Sequence, residues 1–181
     1  MKKLLFGLFF ITLSISVNFN RISIELIPDF IGYFILIGGL REFSEENEYF
    51  EKARKLCFPL AAVTLVFYVL NIFGFSYSDG ESINIPAFAA EVLCAAGELY
   101  VTYQICLGTE SLEYRYKCGL NSDKLKLAWT IMTIAIAGAY LTVAVPVISA
   151  CCVMISFAFA IVFLFQFNTA RLRYKDIFHK D

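Results

Sequence analysis

The stretch "LAWTIMTIAIAGAYLTVAVPVISACCVMISFAFAIVFLFQFNTA", residues 127–170, holds no charged side chain over 44 positions. As a helix it would measure about 66 Å, more than twice the roughly 30 Å hydrocarbon core of a bilayer. It therefore predicts two membrane-spanning helices, and Pro146 marks the turn because proline disfavours helix at the preceding residue. The whole chain is 59% hydrophobic and 17% charged, against roughly 25% charged in soluble domains, and its mean hydropathy is +0.69.

Outward from this stretch, the hydrophobic runs predict an all-α, polytopic membrane bundle of six transmembrane helices in one domain, residues 1–181. The predicted spans cover residues 4–17, 28–40, 56–75, 86–107, 127–144 and 147–168. The second span is short or broken, because the apolar run after Pro28 covers only about 20 Å. Pro28 and Asp29 form its start near the outer surface, since proline needs no amide partner there and the acid meets the positive end of the helix dipole.

The N-terminus "MKKLLFGLFFITLSISV" also has the form of a secretory signal, with "SIS" as a small-residue cleavage site. Because everything downstream is apolar enough to be embedded in a membrane, we expect this segment to remain as the uncleaved first span.

The basic residues fall on alternate sides of the predicted spans. Two lie at the N-terminus, four in the second loop, four in the fourth loop and four in the tail, whereas the other loops hold only Arg21. The positive-inside rule therefore predicts that both termini are cytoplasmic. The opposite face is acidic, with Glu25, Asp29, Asp79 and Glu81, and it is either a solvated rim or a mouth that attracts cations.

Several function classes are excluded by residues that the chain lacks. A net charge of −1 without a basic stripe excludes a nucleic-acid partner. The six cysteines form no C-x-x-C pair and pack as small hydrophobes, so we predict no metal site and no cofactor. The single histidine, His179, lies in the polar tail, and no Ser/His pair, Asp pair or metal cluster falls within a span, so we predict no enzyme.

The fourth span contains two acids in "AAEVLCAAGELYV", residues 89–101. Glu91 and Glu98 are nearly two helical turns apart and therefore share a face. Counted from Pro86, Glu98 lies about 18 Å into the span, near the midplane of the bilayer. No lysine, arginine or histidine lies in any predicted span, so we expect Glu98 to be protonated at neutral pH.

The candidate partners of Glu98 are neutral side chains: Tyr68, Asn71, Thr133, Tyr140, Ser149 and Ser156. Two interpretations stay open. In the first, Glu98 makes a hydrogen bond that stabilises helix packing. In the second, it belongs to a site that loads a proton or cationic solute, with Glu91 and Asp29 as further candidate ligands.

Small residues predict where helices approach each other closely. Gly32 and Gly39 share one face of the second span, Gly97 lies in the fourth span, and Gly138 lies in the fifth. Such positions serve contacts within the bundle or with another membrane protein.

The stretch "IELIPDFIGYFILIGGLREFSEENEYFEKAR", residues 24–54, resembles uncharacterised small multi-span membrane proteins of Gram-positive bacteria that share an I/L-P-D-F-I-G-Y signature. The resemblance implies a multi-pass protein of the bacterial plasma membrane and transfers no catalytic residue. A looser similarity is to the substrate-binding membrane subunits of energy-coupling-factor vitamin transporters, which have six spans and both termini inside. Those subunits carry A-x-x-x-A in the first span, where this chain reads "LLFGLFFITLSI".

Together these observations favour an interaction or regulatory bundle whose partners are the lipid bilayer and another membrane protein. The alternative is a carrier subunit for a small solute or a coupled cation or proton, similar to an energy-coupling-factor substrate subunit, in which Glu98 and Glu91 bind the ligand.

Overall fold

A computed structural model describes residues 1–13, 16–19, 22–25, 28–44, 47–72 and 85–178 of the chain. Within these ranges it shows six α-helices and one antiparallel hairpin of two short strands. In chain order they are α1 (Lys2–Thr12), β1 (Ser16–Phe19), β2 (Ile22–Glu25), α2 (Asp29–Arg41), α3 (Glu48–Ile72), α4 (Ile85–Tyr116), α5 (Ser122–Leu141) and α6 (Pro146–Phe178).

Three of these helices are long and apolar enough to cross a membrane: α3 over Glu48–Leu70, α5 over its whole length, and α6 over Pro146–Ile177. The prediction of a helical bundle with six helices is confirmed. With 11 and 13 residues, α1 and α2 are each shorter than the roughly 20 residues that a membrane crossing requires.

Several predicted boundaries differ from the structure. The first helix ends at Thr12, and Val17 belongs to β1, so the prediction of a helical span to residue 17 is wrong. The third helix begins at Glu48, well before the apolar run, so Pro59 lies inside it and not in its first turn. The predicted outer residues Arg21, Asp79 and Glu81, and His179 of the tail, lie outside the described residues.

Glycines bring α1 and α2 into close antiparallel contact. A Cβ atom added to Gly7 would lie 2.8 Å from the backbone nitrogen of Leu36, and one added to Gly39 would lie 2.8 Å from the backbone nitrogen of Leu4. Gly32 meets α1 in the same way, with Ile11 Cγ2 at 2.7 Å. Only glycine allows the two backbones to approach this closely.

Contacts between the helix ends identify the end of the bundle that carries the basic segments. Lys3 Nζ lies 2.6 Å from Glu42 Oε1, and the rings of Phe43 and Tyr174 are 5.9 Å apart. Arg173 donates to the carbonyl of Gly119 and, at 2.9 Å, to Asn121 Oδ1. The N-terminus, the α2–α3 turn, the α4–α5 turn and the end of α6 therefore meet at one end, called the basic end below.

The basic end is also the densely packed end. Its fully buried side chains come from four helices and the α4–α5 turn: Leu40, Phe50, Leu112, Leu120 and Phe167. At the opposite end, called the far end below, the exposed apolar side chains include Leu141 at 86%, Val147 at 74% and Met154 at 73%. This half of α6 packs mainly on α5, where Gly138 lies against Cys152. Among the described residues, the bundle is thus closed at its basic end, whereas α5 and the first half of α6 expose apolar side chains at its far end.

Candidate acidic site inside the bundle

The orientation of α4 is set by its contacts with α3 and α5. Gly97 faces α3, since a Cβ added there would lie 2.7 Å from Leu60 Cδ2. On the other side, Trp129 of α5 donates from Nε1 to the carbonyl of Leu99 at 3.2 Å and to Thr102 Oγ1 at 3.0 Å. The face of α4 between these two contacts carries both glutamates. Trp129 therefore links α5 to α4 through hydrogen bonds.

Glu98 lies within electrostatic range of two side chains of α2, Asp29 and Tyr33. Glu98 is half-buried and lies within electrostatic range of Asp29. Tyr33 is only 3% exposed and lies within electrostatic range of both carboxyl groups. Asp29 and Tyr33 are one helical turn apart and so share a face of α2. We call Asp29, Tyr33 and Glu98 the acidic site.

The acidic site lies well inside the length of the bundle. Glu98 is thirteen residues from the first residue of α4, which is about 20 Å along the helix axis. Since Asp29 begins α2 within electrostatic range of Glu98, α2 starts part of the way along α4, and β2 packs along α3. The prediction that Asp29 starts a helix is confirmed, and its placement near the outer surface stays a prediction.

The N-terminus of α2 affects the electrostatics of the site. A helix N-terminus carries a partial positive charge, and Asp29 lies in the first turn of α2. No basic side chain of the described residues acts on Glu98. The helix dipole of α2 therefore places a partial positive charge within range of Glu98.

Glu91 lies closer to the far end and is exposed. It is within electrostatic range of Tyr140 of α5, which is also in range of Glu98 and whose ring packs on Phe88 at 5.8 Å. The structure therefore brings Asp29 and Glu98 together and places Glu91 on the far-end side of them.

Most of the predicted neutral partners of Glu98 have other contacts. The hydroxyls of Thr133, Ser149 and Ser156 donate to backbone carbonyls, and the ring of Tyr68 packs on Phe30 at 5.4 Å. The side chain of Asn71 lies outside the described part of the structure.

Sequence reasoning missed Tyr33, the buried hydroxyl of the site. The available signal was its position four residues after Asp29, on the same face of the predicted helix.

A second polar group was also missed. Gln104 is 6% exposed, and its Oε1 has no hydrogen-bond partner among the described residues. Nearer the basic end, Asn47 Nδ2 donates to the carbonyl of Gly108 at 3.1 Å and ties α4 to the start of α3. Asn47 thus helps to orient α4 against α3, and neither Asn47 nor Gln104 belongs to the acidic site.

The chemistry available at the acidic site is proton or cation binding. Two carboxyl groups and a phenol can share a proton or supply oxygen ligands. In the ranges that the structure describes, no group of three or more His, Cys, Asp or Glu residues is placed to hold a metal ion.

Comparison with known proteins found no matching family model, no similar curated protein and no similar solved structure. Fold and site thus define a helical protein with at least three helices able to cross a membrane and with an acidic site between α2 and α4. The resemblance to the Gram-positive membrane proteins remains a prediction.

Proposed function

We propose that the chain is a six-pass protein of the bacterial plasma membrane that binds a proton or small cation at Asp29 and Glu98, as a carrier subunit does. The observation that supports this proposal is that Glu98 lies within electrostatic range of Asp29, in the first turn of a short helix. Transporters commonly place their coupling site at the midplane, where a broken helix ends and its dipole faces the bound group.

The distribution of charge supports a route to this site. The basic residues gather at the closed end, which the positive-inside rule assigns to the cytoplasm. The far end, where Glu91 is exposed, would then face outwards. An exposed carboxyl at that depth needs water or a cation, because a charged side chain facing lipid costs several kcal/mol. Glu91 would attract a cation from outside, and Asp29 and Glu98 would hold it.

The helix dipole gives Glu98 access to both of its charge states. Burial favours the protonated acid, whereas the N-terminus of α2 favours the carboxylate. A group balanced in this way can exchange a proton for a cation, which is the step that a coupled carrier requires.

Glu98→Gln tests the site, because glutamine keeps the shape of the side chain but cannot ionise. We expect Na⁺, Li⁺ or methylammonium to raise the melting temperature of the purified parent in detergent, and to do so more at pH 8 than at pH 5.5, because a proton competes for the same carboxylate. Glu98→Gln should lose this cation effect and Glu91→Gln should keep most of it. If none of the three cations raises the melting temperature of the parent, or if Glu98→Gln responds to them as the parent does, the acidic site contributes only to packing.

The six-pass arrangement is tested with topology reporters fused after Lys55, Gly80 and Lys117, of which Gly80 lies outside the described residues. We expect cytoplasmic signals after Lys55 and Lys117 and an outside signal after Gly80, because the two basic segments meet at one end of the bundle. The same side for Lys55 and Gly80 would show that α3 does not cross.

A partner-binding bundle is the second candidate function. It is favoured by the far half of α6, which packs mainly on α5 and leaves Val147 and Met154 on the surface. Exposed apolar faces of this size contact lipid or another protein. An α6 variant such as Met154→Trp should remove a copurifying membrane protein if this candidate is right, and it should leave the cation-induced shift in melting temperature unchanged.

A further inference from the structure

The surface where α1 and α2 leave the basic end combines charge, an open notch and apolar side chains. Lys3, Gly38, Arg41 and Glu42 line a groove of about 480 Å³ between the two helices. Apart from the adjacent residues and the backbone of α2 itself, no atom lies within 4 Å of the position that a Cβ of Gly38 would take, so the space beside this glycine is open.

The neighbouring residues divide by chemistry along the helix axes. Towards the basic end, Lys2 and Arg41 are exposed. One turn or more towards the far end, the exposed side chains are Phe6 at 57% and Phe34 at 55%. The surface thus changes from cationic to apolar over about two helical turns, as the headgroup region of a bilayer changes to the acyl region.

The charge balance of the groove is positive. Lys3 pairs with Glu42, and the hydrogen bond from Lys3 keeps the pKa of Glu42 below its ordinary value, so this carboxyl stays ionised. The pair is exposed and contributes little to stability. Arg41 takes part in no ion pair or side-chain hydrogen bond of the described residues. Its guanidinium is therefore available for a phosphate, which it can bind through two parallel hydrogen bonds.

We propose that this groove binds one anionic phospholipid of the inner leaflet, with its phosphate between Lys3 and Arg41 and an acyl chain in the notch at Gly38 between Phe6 and Phe34. Glu42 sets the selectivity, because its carboxylate repels a second anionic group and leaves room for one phosphate. Basic pockets beside membrane helices on the cytoplasmic side recognise lipid headgroups in this way. The proposal rests on the membrane location of α1 and α2 and is independent of the acidic site.

The test is native mass spectrometry of the full chain in neutral detergent with dioleoyl phosphatidylglycerol or dioleoyl phosphatidylcholine. We expect the parent to bind phosphatidylglycerol about tenfold more tightly than phosphatidylcholine, and the Lys3→Gln/Arg41→Gln double variant to lose that preference. The single variant Arg41→Gln leaves the Lys3–Glu42 pair intact and should lose most of the preference for phosphatidylglycerol. This variant keeps the proposal testable if the double variant does not fold.

Two controls and a competition with phosphate distinguish lipid binding in this groove from a general effect of positive charge and from the binding of a free anion. Lys52→Gln/Lys55→Gln removes the same charge from exposed positions of α3 at the basic end and should leave the preference unchanged. Gly38→Leu fills the notch without changing the charge, and it should weaken the binding of both lipids. A loss of preference in the Lys52/Lys55 variant, displacement of the lipid by millimolar inorganic phosphate, or unchanged lipid binding by Gly38→Leu would each overturn the proposal.

Discussion

Gly39→Leu should denature in detergent about 2 to 12 °C below the parent protein. A Cβ at this position would lie 2.8 Å from the backbone nitrogen of Leu4 and 3.0 Å from its Cδ2, and a backbone atom cannot turn aside as a side chain can. Overpacking of this kind costs about 1 to 3 kcal/mol, and in a chain of this length each kcal/mol lowers the melting temperature by about 2 to 4 °C. Differential scanning fluorimetry of the purified protein measures the change.

The matched control is the adjacent residue. Gly38→Leu makes the same substitution in the same helix, with the same gain in helix propensity, but its Cβ meets open space. We expect its melting temperature to equal or exceed that of the parent, so the difference between the two variants isolates the packing of α1 on α2. Equal melting temperatures for the two variants would mean that α1 and α2 are not in close contact.

Gly32→Leu belongs to the same contact but should have a smaller effect than Gly39→Leu. The nearest atoms to its added Cβ are side-chain atoms, Ile11 Cγ2 at 2.7 Å and Phe10 Cβ at 2.8 Å, and the nearest backbone atom is at 3.2 Å. Part of this clash can be relieved by rotation of Ile11.

The helices were predictable because their signals are local. A long uncharged run with Pro146 near its middle predicted the α5–α6 hairpin, and Pro28 with Asp29 predicted the start of α2. Helix ends were less predictable, because α3, α4 and α6 continue into polar sequence at the basic end. Their extra turns are stabilised by tertiary contacts such as that of Phe43 with Tyr174, and a hydropathy profile carries no information about such contacts.

The acidic site was predictable only in part. An acid within an apolar run identified Glu98 without reference to any other element. Its proximity to Asp29 depends on where α2 begins along α4, and that depends on the early end of α1 at Thr12 and on the strands that follow. Tyr33 was missed because tyrosine in a membrane sequence is first interpreted as an interfacial anchor. The site therefore depends on the tertiary arrangement of α2 and α4, which local sequence patterns do not specify.

The native cysteines allow a direct test of whether water reaches this site from outside. Cys94 lies on α4 within electrostatic range of Glu91, Glu98 and Asp29, and it is about 14 Å from the start of the helix. We expect a variant that keeps only Cys94 to react, in right-side-out vesicles, with charged methanethiosulfonates that do not cross membranes. A cationic reagent should react about tenfold faster than an anionic one of similar size, because the nearby carboxylate of Glu91 attracts it.

Two other single-cysteine variants separate water from lipid. Cys57 is fully buried and should not react with either reagent. Cys151 is exposed on α6 between Val147 and Met154, where the surface is apolar, so a charged reagent in water should not reach it. Exposure alone would predict that Cys151 reacts faster than the half-buried Cys94, whereas a water-filled entrance on the inner face of α4 predicts the reverse order. In the variant that keeps only Cys94, Glu91→Gln should make the reaction rates of the cationic and anionic reagents equal, while Cys94 remains accessible to both. If Cys94 is as unreactive as Cys151, the far half of the bundle is dry, Asp29 and Glu98 have no route to the outside, and the carrier proposal fails even if Glu98→Gln alters stability.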